Sequence, residues 1–169
     1  MGGHDTAHLL TAILLLFLSP LCACAGRMKC DFRGHRLLPD GSVDLGGSLI
    51  GEIERVEFGL NRTCREGVQL LTLQRLKARD KDGKASWDNL TSLTLPRLAS
   101  DEVLVFGHWS TCDIGSGPDP TIIAIVKDVD GPVYEEAVHA WRANIGNQSF
   151  DPLPMTRVRC TNEGYLMGD

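Results

Sequence analysis

The sequence predicts a mainly β, disulfide-stapled domain, and three observations support this prediction. The best-defined apolar segments are short, rich in β-branched residues and bounded by turn formers, which is typical of strands. Four cysteines lie far apart behind an export signal, which favours structural disulfides. The chain has 169 residues, of which 43% are hydrophobic and 23% charged, so one packed domain is expected rather than disorder or a long coiled coil.

The N-terminal segment predicts export from the cytosol. Residues 9–18 are almost entirely apolar and small residues follow up to Ala25, which is the pattern of a secretory signal peptide. The apolar run is shorter than the roughly 20 residues that span a bilayer as a helix, and no transmembrane span is expected. The predicted organisation is a signal peptide over residues 1–25 and one disulfide-bonded β domain over residues 26–169.

Two processing sites compete at the end of the signal. Cleavage after Ala25 satisfies the small-residue rule and would release a secreted chain that begins at Gly26, and we favour this alternative. The residues Leu21 to Cys24 also resemble a bacterial lipobox, which would leave Cys24 lipidated and anchored in an envelope. The predicted location is therefore secreted or extracytoplasmic, with a lipid anchor as the alternative.

The four cysteines that follow the predicted signal peptide predict structural disulfides. They are even in number and contain no C-x-x-C spacing, so a zinc ribbon or a redox site is disfavoured. Each bridge would close a loop of tens of residues and stabilise the fold by about 3–4 kcal/mol. Three pairings are compatible with the spacing, which does not choose among them. The four cysteines are Cys30, Cys64, Cys112 and Cys160.

The first part of the mature chain alternates turn-rich and apolar segments. Residues 26–48 are rich in glycine and other turn formers and predict an irregular N-terminal arm tied down through Cys30. Residues 49–58 and 68–78 are apolar and predict strands, with a loop over residues 61–67 between them.

A hairpin and two buried strands follow. The polar turn over residues 79–84 predicts a hairpin that leads into residues 85–95. Residues 102–109 and 121–129 contain continuous β-branched runs, which predict strands buried on both faces. Residues 112–120 between them are turn-rich and predict a loop fastened by its cysteine.

The C-terminal third contains one ambiguous segment. A proline, two glutamates and a following glycine predict one helix near residues 132–145. The alternative is a hairpin, in which residues 141–145 pair with residues 149–151 across a turn. The sequence leaves both alternatives open. Residues 157–160 predict a last short strand.

Charge and motifs exclude several classes of function. The net charge is −5 and gives no basic footprint, so nucleic acid is not an expected partner. The serines lack a G-x-S-x-G context, and the acidic loops at residues 80–83 and 128–131 fail as EF-hands and predict Asx turns. We therefore expect no catalytic residues, no metal site and no cofactor.

Three asparagines head glycosylation triplets. In a host that glycosylates, such triplets mark surface loops of an exported protein. The candidate asparagines are Asn61, Asn89 and Asn147.

An extracytoplasmic metal-binding protein or enzyme is a competing hypothesis. His108 and Cys112 come nearest to ligand spacing, but a disulfide at Cys112 would remove its thiolate. The site would then have to come from His35, His108, His139 and nearby acids such as Asp113.

The cysteine pattern resembles that of netrin-like and tissue-inhibitor-of-metalloproteinases-like modules. The resemblance is carried by Cys22-x-Cys24, Cys30, three later cysteines and the strand over residues 101–109 before Cys112. It implies a small closed or partly open OB-like barrel. In that family the free amine of the first cysteine chelates a protease zinc, whereas cleavage after Ala25 would here discard both Cys22 and Cys24.

The predicted function is an exported, non-enzymatic binding or interaction module. The absence of catalytic motifs and the stapled β scaffold support this prediction, and the partner is an unidentified protein or small ligand outside the cytosol. We interpret Trp87, Trp109 and Trp141 as core residues in preference to a ligand platform. The alternatives are a metalloprotease-inhibitor-like protein, an extracytoplasmic metal-binding protein or enzyme, and a bacterial envelope lipoprotein.

Overall fold

The structure is a computed structural model that describes residue 30 and residues 34–50, 57–108 and 111–166. In these ranges the chain forms twelve strands in three antiparallel sheets, with one 3₁₀ turn and one short helix. The predicted mainly β, disulfide-stapled fold is confirmed. The predicted signal peptide over residues 1–25 lies outside the described residues.

The first sheet is an antiparallel meander of five strands, in the order in which they occur along the chain. Its strands are β1 (Arg36–Leu37), β2 (Val43–Ile50), β3 (Phe58–Arg65), β4 (Val68–Arg79) and β5 (Ala85–Thr94). The pairing of β4 with β5 confirms the predicted hairpin. In its turn, Asp80 Oδ1 accepts hydrogen bonds from the backbone N–H groups of Asp82 and Lys84 (2.9 and 2.8 Å), which confirms the predicted Asx turn.

The predicted loop over residues 61–67 is wrong. β3 continues to Arg65, and the chain reverses at Glu66 and Gly67, which have φ angles of 52° and 84°. A two-residue turn with positive φ at both positions matches the twist of an antiparallel pair. The polar residues of this segment therefore belong to a half-exposed strand and not to a loop.

The irregular N-terminal arm is shorter than predicted. Residues 43–48 form the first part of β2, which pairs with β3. Gly46 and Gly47 interrupt the register of this pair between Asp44 and Gly47 without ending the strand. Glycine in a strand pattern here marks a bulge, not a boundary.

The second sheet has four strands in the order β11-β10-β8-β6, and the third has three in the order β7-β12-β9. The four-stranded sheet contains β6 (Glu102–Phe106), β8 (Ile122–Lys127), β10 (Ala137–Asn144) and β11 (Ser149–Pro152). The three-stranded sheet contains β7 (Cys112–Asp113), β9 (Val133–Tyr134) and β12 (Arg159–Thr161). The predicted strands within residues 102–109 and 121–129 and the predicted last strand are thus present, but β6 is only partly buried, because it is an edge strand.

The predicted helix near residues 132–145 is wrong, and the hairpin alternative is correct. β9 and β10 occupy this segment, and Ala143 pairs with Phe150 and Asn144 with Ser149. The physical reason is the position of β10 between β8 and β11, where both of its edges are hydrogen-bonded. Strand pairing in this layer outweighs the local helix signals.

The four-stranded sheet is the middle layer of the molecule. Ile122, Ala124 and Val126 on one face of β8 pack into a core shared with the three-stranded sheet. Ile123 on the other face packs with Leu71 of the five-stranded sheet. β8 is therefore buried on both faces, as its continuous apolar run predicts.

Two disulfides cross-link the described chain, one between the N-terminal arm and β3 and one within the three-stranded sheet. Cys30 is bonded to Cys64 in β3, and Cys112 in β7 is bonded to Cys160, its direct neighbour in β12. The structure thereby selects one of the three pairings left open by the spacing.

The edge strands of each sheet do not join, so the described strands form open sheets and not the closed form of the predicted barrel. Within the described ranges, no helix is long and apolar enough to cross a membrane.

Candidate functional site

A groove on the outer face of the five-stranded sheet is the candidate functional site. Its volume is about 320 Å³, at the lower end of the range for small-molecule sites. The side chains that line it come from all strands between β2 and β5. They are Asp44, Leu49, Asn61, Gln74 and Trp87.

The alternation of the strands explains why these side chains face outwards. Leu60, Leu71 and Leu73 point inwards and are only 2%, 0% and 0% exposed. Because successive side chains of a strand point to opposite faces, Asn61 and Gln74 lie on the other side of the sheet. Among the strands and helices that the structure describes, no layer packs on this face of the sheet.

The register places the outward side chains in two rows across the sheet. The first row, here called the Asn61 row, consists of Gly47, Asn61, Thr72 and Ser92. The second row, here called the Gln74 row, consists of Leu49, Gly59, Gln74 and Asn89. Each row therefore has one glycine, which leaves space on the surface where a side chain would otherwise stand.

The two glycines are required by close contacts. A Cβ atom at Gly47 would collide with the backbone carbonyl oxygen of Leu60. At Gly59 a Cβ would lie 3.3 Å from the carbonyl oxygen of Ser48 and 3.6 Å from the ring of Trp87. Both glycines keep side chains out of the groove, and a Cβ would be strictly excluded at Gly47 but only tightly fitted at Gly59.

The Trp87 side chain forms the apolar wall of the groove. Trp87 pairs with Leu76 of β4, yet its ring atoms Cη2 and Cζ3 reach Gly59 of β3. The indole therefore crosses β4 on the outer face and is only partly buried. The interpretation of Trp87 as a core residue is wrong, whereas Trp141 packs against the core and Trp109 lies outside the described residues.

Amide and hydroxyl groups form the polar part of the groove. With the Asn61 amide in the orientation that matches its neighbours, its nitrogen donates to Asp44 Oδ1 (3.1 Å) and to the carbonyl oxygen of Gly46 (3.2 Å). Gln74 Nε2 donates a hydrogen bond to Asn89 Oδ1 (2.7 Å). These bonds fix the positions of the amides and leave the oxygen of Gln74 available as an acceptor.

The groove carries a single formal charge. Among the described residues that line it, Asp44 is the only charged one, and none is Lys, Arg or His. An anion would meet a carboxylate and no counter-charge, so the groove disfavours anionic ligands.

The groups with shifted pKa values lie away from the groove. Lys127 Nζ donates hydrogen bonds to Asp101 Oδ2 (3.0 Å) and Glu102 Oε1 (3.3 Å). The bond from Lys127 lowers the pKa of Asp101, and the backbone N–H of Ala99 lowers the pKa of Glu102. These carboxylates are engaged in stabilising contacts at the end of the middle sheet.

A second, more open cavity of about 570 Å³ lies beside Tyr134 and Asn162. Burial raises the pKa of Tyr134, and the nearby Asp128 raises it further. Asn162 Nδ2 donates hydrogen bonds to the carbonyl oxygens of Val129 (3.3 Å) and Gly131 (2.9 Å). The buried amide of this cavity is therefore occupied in holding the loop over residues 128–131, and the cavity is a weaker candidate.

The predicted glycosylation residues lie in different surroundings. Asn61 is half-buried in β3, Asn89 is exposed in β5, and Asn147 is exposed in the β10–β11 turn. Only Asn147 therefore occupies the predicted kind of surface loop. Because Asn61 lines the groove and Asn89 is bonded to Gln74 at its rim, a glycan on either would obstruct it.

The residues of the alternative metal site are not brought together. Within the part of the chain that the structure describes, no group of three or more His, Cys, Asp or Glu residues could hold a metal ion. His139 is exposed and stacks on Trp141 with the ring centroids 5.6 Å apart. The backbone N–H of His108 donates to Ser48 Oγ (3.0 Å), and Cys112 is in a disulfide.

Several groove residues were not identified from the sequence. Asp44 and Gly47 fall in the segment predicted to be an irregular arm, and Gln74 falls in a strand whose solvent face was not assigned. The alternation of leucine with polar residues over residues 71–74 was the signal that could have located this face.

The chain was compared with protein-family models, with curated proteins and with solved structures, and no match was found. The resemblance to netrin-like modules therefore stays a prediction from cysteine spacing. The function of the chain is inferred from the geometry of the groove.

Proposed function

We propose that this protein is an exported, non-enzymatic binding module and that its ligand binds in the groove on the outer face of the five-stranded sheet. The groove itself carries the proposal. Trp87, Asn61 and Gln74 converge there on a surface that Gly47 and Gly59 keep open. An apolar wall beside a few fixed polar groups is the usual composition of a ligand site.

Export is supported by the disulfides and by the predicted signal peptide. Both disulfides are compatible with an oxidising compartment outside the cytosol. We expect the intact mass of the exported protein to show a chain that begins at Gly26, with four cysteines that react with iodoacetamide only after reduction. A diacylglycerol on Cys24 would instead establish the lipoprotein alternative, and a start at Cys22 would favour the metalloprotease-inhibitor alternative.

The groove is tested by a fragment screen on the exported protein. A chemically diverse fragment set is added to the ¹⁵N-labelled chain, and we expect the amide resonances of Gly47, Gly59 and Gln74 to shift most. In Trp87→Ala these shifts should disappear. In the control Tyr165→Ala, which removes a 49% exposed aromatic from the second cavity, they should persist.

Two results would contradict the groove as the binding site. One is a set of fragment shifts that centres on Tyr134 and Asn162. The other is the absence of any specific shift in the native protein. The amide spectrum of Trp87→Ala provides the control for folding, because its inner-face resonances should stay in place.

A further inference from the structure

We propose that the ligand of the groove is a neutral oligosaccharide, an inference that rests on the proposed function. A sugar ring has apolar C–H faces and a rim of hydroxyl groups. It therefore needs an aromatic surface and, next to it, side chains that both donate and accept hydrogen bonds. The groove brings together these two kinds of group.

The aromatic surface is the indole of Trp87. The edge of the ring formed by Cη2 and Cζ3 ends over Gly59. Because glycine has no side chain, Gly59 adds no side chain that would cover this edge of the partly buried indole. A C–H face of a sugar could pack on the indole there, as apolar groups pack on aromatic rings.

The polar groups suit hydroxyls better than they suit an anionic or a wholly apolar ligand. Asp44 and the amides of Asn61 and Gln74 provide mostly acceptors, and Asn89 adds its amide nitrogen at the rim. A phosphate or carboxylate ligand would need donors and a cation, which the described lining residues do not supply. A wholly apolar ligand would desolvate these amides without replacing their hydrogen bonds.

The length of the polar surface indicates a chain of sugars and not a single ring. The Gln74 row continues past the groove to Asn89, and the Asn61 row continues through the hydroxyl pair of Thr72 and Ser92, whose oxygens are 2.9 Å apart. The polar side chains of these rows lie on β3, β4 and β5 and cross two interstrand spacings, about 10 Å, with Thr72 itself buried. The surface therefore extends beyond the space that one ring would occupy.

The test measures binding of defined oligosaccharides to the exported protein by calorimetry and by the indole resonance of Trp87. The neutral probes are cellohexaose, mannohexaose, xylohexaose and chitohexaose, and the anionic probe is hexagalacturonate. We expect at least one neutral probe to bind with a Kd of about 1 mM or lower and to shift the indole resonance. Hexagalacturonate should bind at least about tenfold more weakly because of Asp44.

Variants assign the binding to the groove. Trp87→Ala should weaken binding by about tenfold or more, whereas Trp87→Phe should retain part of it. Gln74→Leu keeps the size of the side chain but removes its amide, and it should also weaken binding. The control Tyr165→Ala should bind as the native protein does.

The outcomes separate this inference from the proposed function. If no neutral oligosaccharide binds while fragments or peptides do bind in the groove, the ligand class is wrong and the binding module stands. If nothing binds in the groove, both proposals fall. A glycan attached to Asn61 or Asn89 in the exported protein would also overturn the inference, because it would fill the surface.

Discussion

The middle sheet and the five-stranded sheet differ in how many of their faces are buried. In β8 of the middle sheet, five consecutive residues are 0% exposed, because a layer packs on each side. In the five-stranded sheet, Leu73 is 0% exposed while its neighbour Gln74 lines an open groove. The difference shows that the position of a layer, and not its strand composition alone, decides whether it can offer a binding face.

The largest expected effects come from alanine substitutions at neighbouring positions in the two sheets. Ile122→Ala and Ile123→Ala should each reduce the free energy of unfolding by about 2–5 kcal/mol, because both side chains leave cavities in a packed core. Leu73→Ala should cost a similar amount. Gln74→Ala should change the free energy of unfolding by less than about 0.5 kcal/mol. Urea unfolding measures all four, and an equal cost at residues 73 and 74 would contradict a free outer face.

The next effect concerns the glycine that shapes the groove. Gly47→Ala places a Cβ atom against the carbonyl oxygen of Leu60, and the backbone cannot rotate away as a side chain can. We expect a loss of about 3 kcal/mol, at the upper end of the usual cost of overpacking. The matched control is Gly131→Ala, where a Cβ meets nothing within 4 Å. Equal thermal midpoints for the two variants would show that the contact at Gly47 is relieved easily.

Much of the fold could be predicted from the sequence because its signals are local. The runs around Val105 and Ile123 are continuous and β-branched, so both strands follow directly from them, although only β8 is buried on both faces. The turn at Asp80 has its own side-chain hydrogen bonds. These features do not depend on what packs against them.

The groove could not be predicted because its determinants are not local. Two successive glycines such as Gly46 and Gly47 are typical of a turn. Only the pairing of β2 with β3 shows that they form a bulge inside a strand. A tryptophan in a small β domain is usually a core residue, and Trp87 is only partly buried because it lies on the outer face of its sheet. Likewise, the helix signals before Trp141 yield to the pairing of β10 on both edges.

A smaller effect tests whether water reaches every side chain on the outer face of the five-stranded sheet. Thr72 lies on this face but is 7% exposed, and its hydroxyl is bonded to that of the exposed Ser92. Ser92→Ala should cost about 1–2 kcal/mol, because it leaves a buried hydroxyl without its partner. Thr72→Val should cost less, since Ser92 can then bond to water. A larger loss of stability in Thr72→Val than in Ser92→Ala would show that water reaches the Thr72 hydroxyl.

The smallest effects come from ion pairs, and here too the two sheets differ. Lys77 of the five-stranded sheet lies 3.4 Å from Asp88 with both side chains well exposed, so Lys77→Met should change stability by less than about 0.5 kcal/mol. Lys127 of the middle sheet bonds two carboxylates, those of Asp101 and Glu102. We expect Lys127→Met to be the more destabilising change at neutral pH.

The pH dependence separates these two ion pairs. The pKa values of Asp101 and Glu102 are lowered from 3.8 and 4.5 by the fold, so their contribution is present above those values and is lost as the pH falls below them. The pKa of Lys127 is raised from 10.5, and its contribution is complete below that value. The stability difference between the native protein and Lys127→Met should therefore be constant from about pH 6 to about pH 9 and should shrink towards about pH 3. Urea midpoints measure this difference, and one that stayed constant down to the lowest pH would mean that Lys127 stabilises the middle sheet through the packing of its methylene groups and not through its charge.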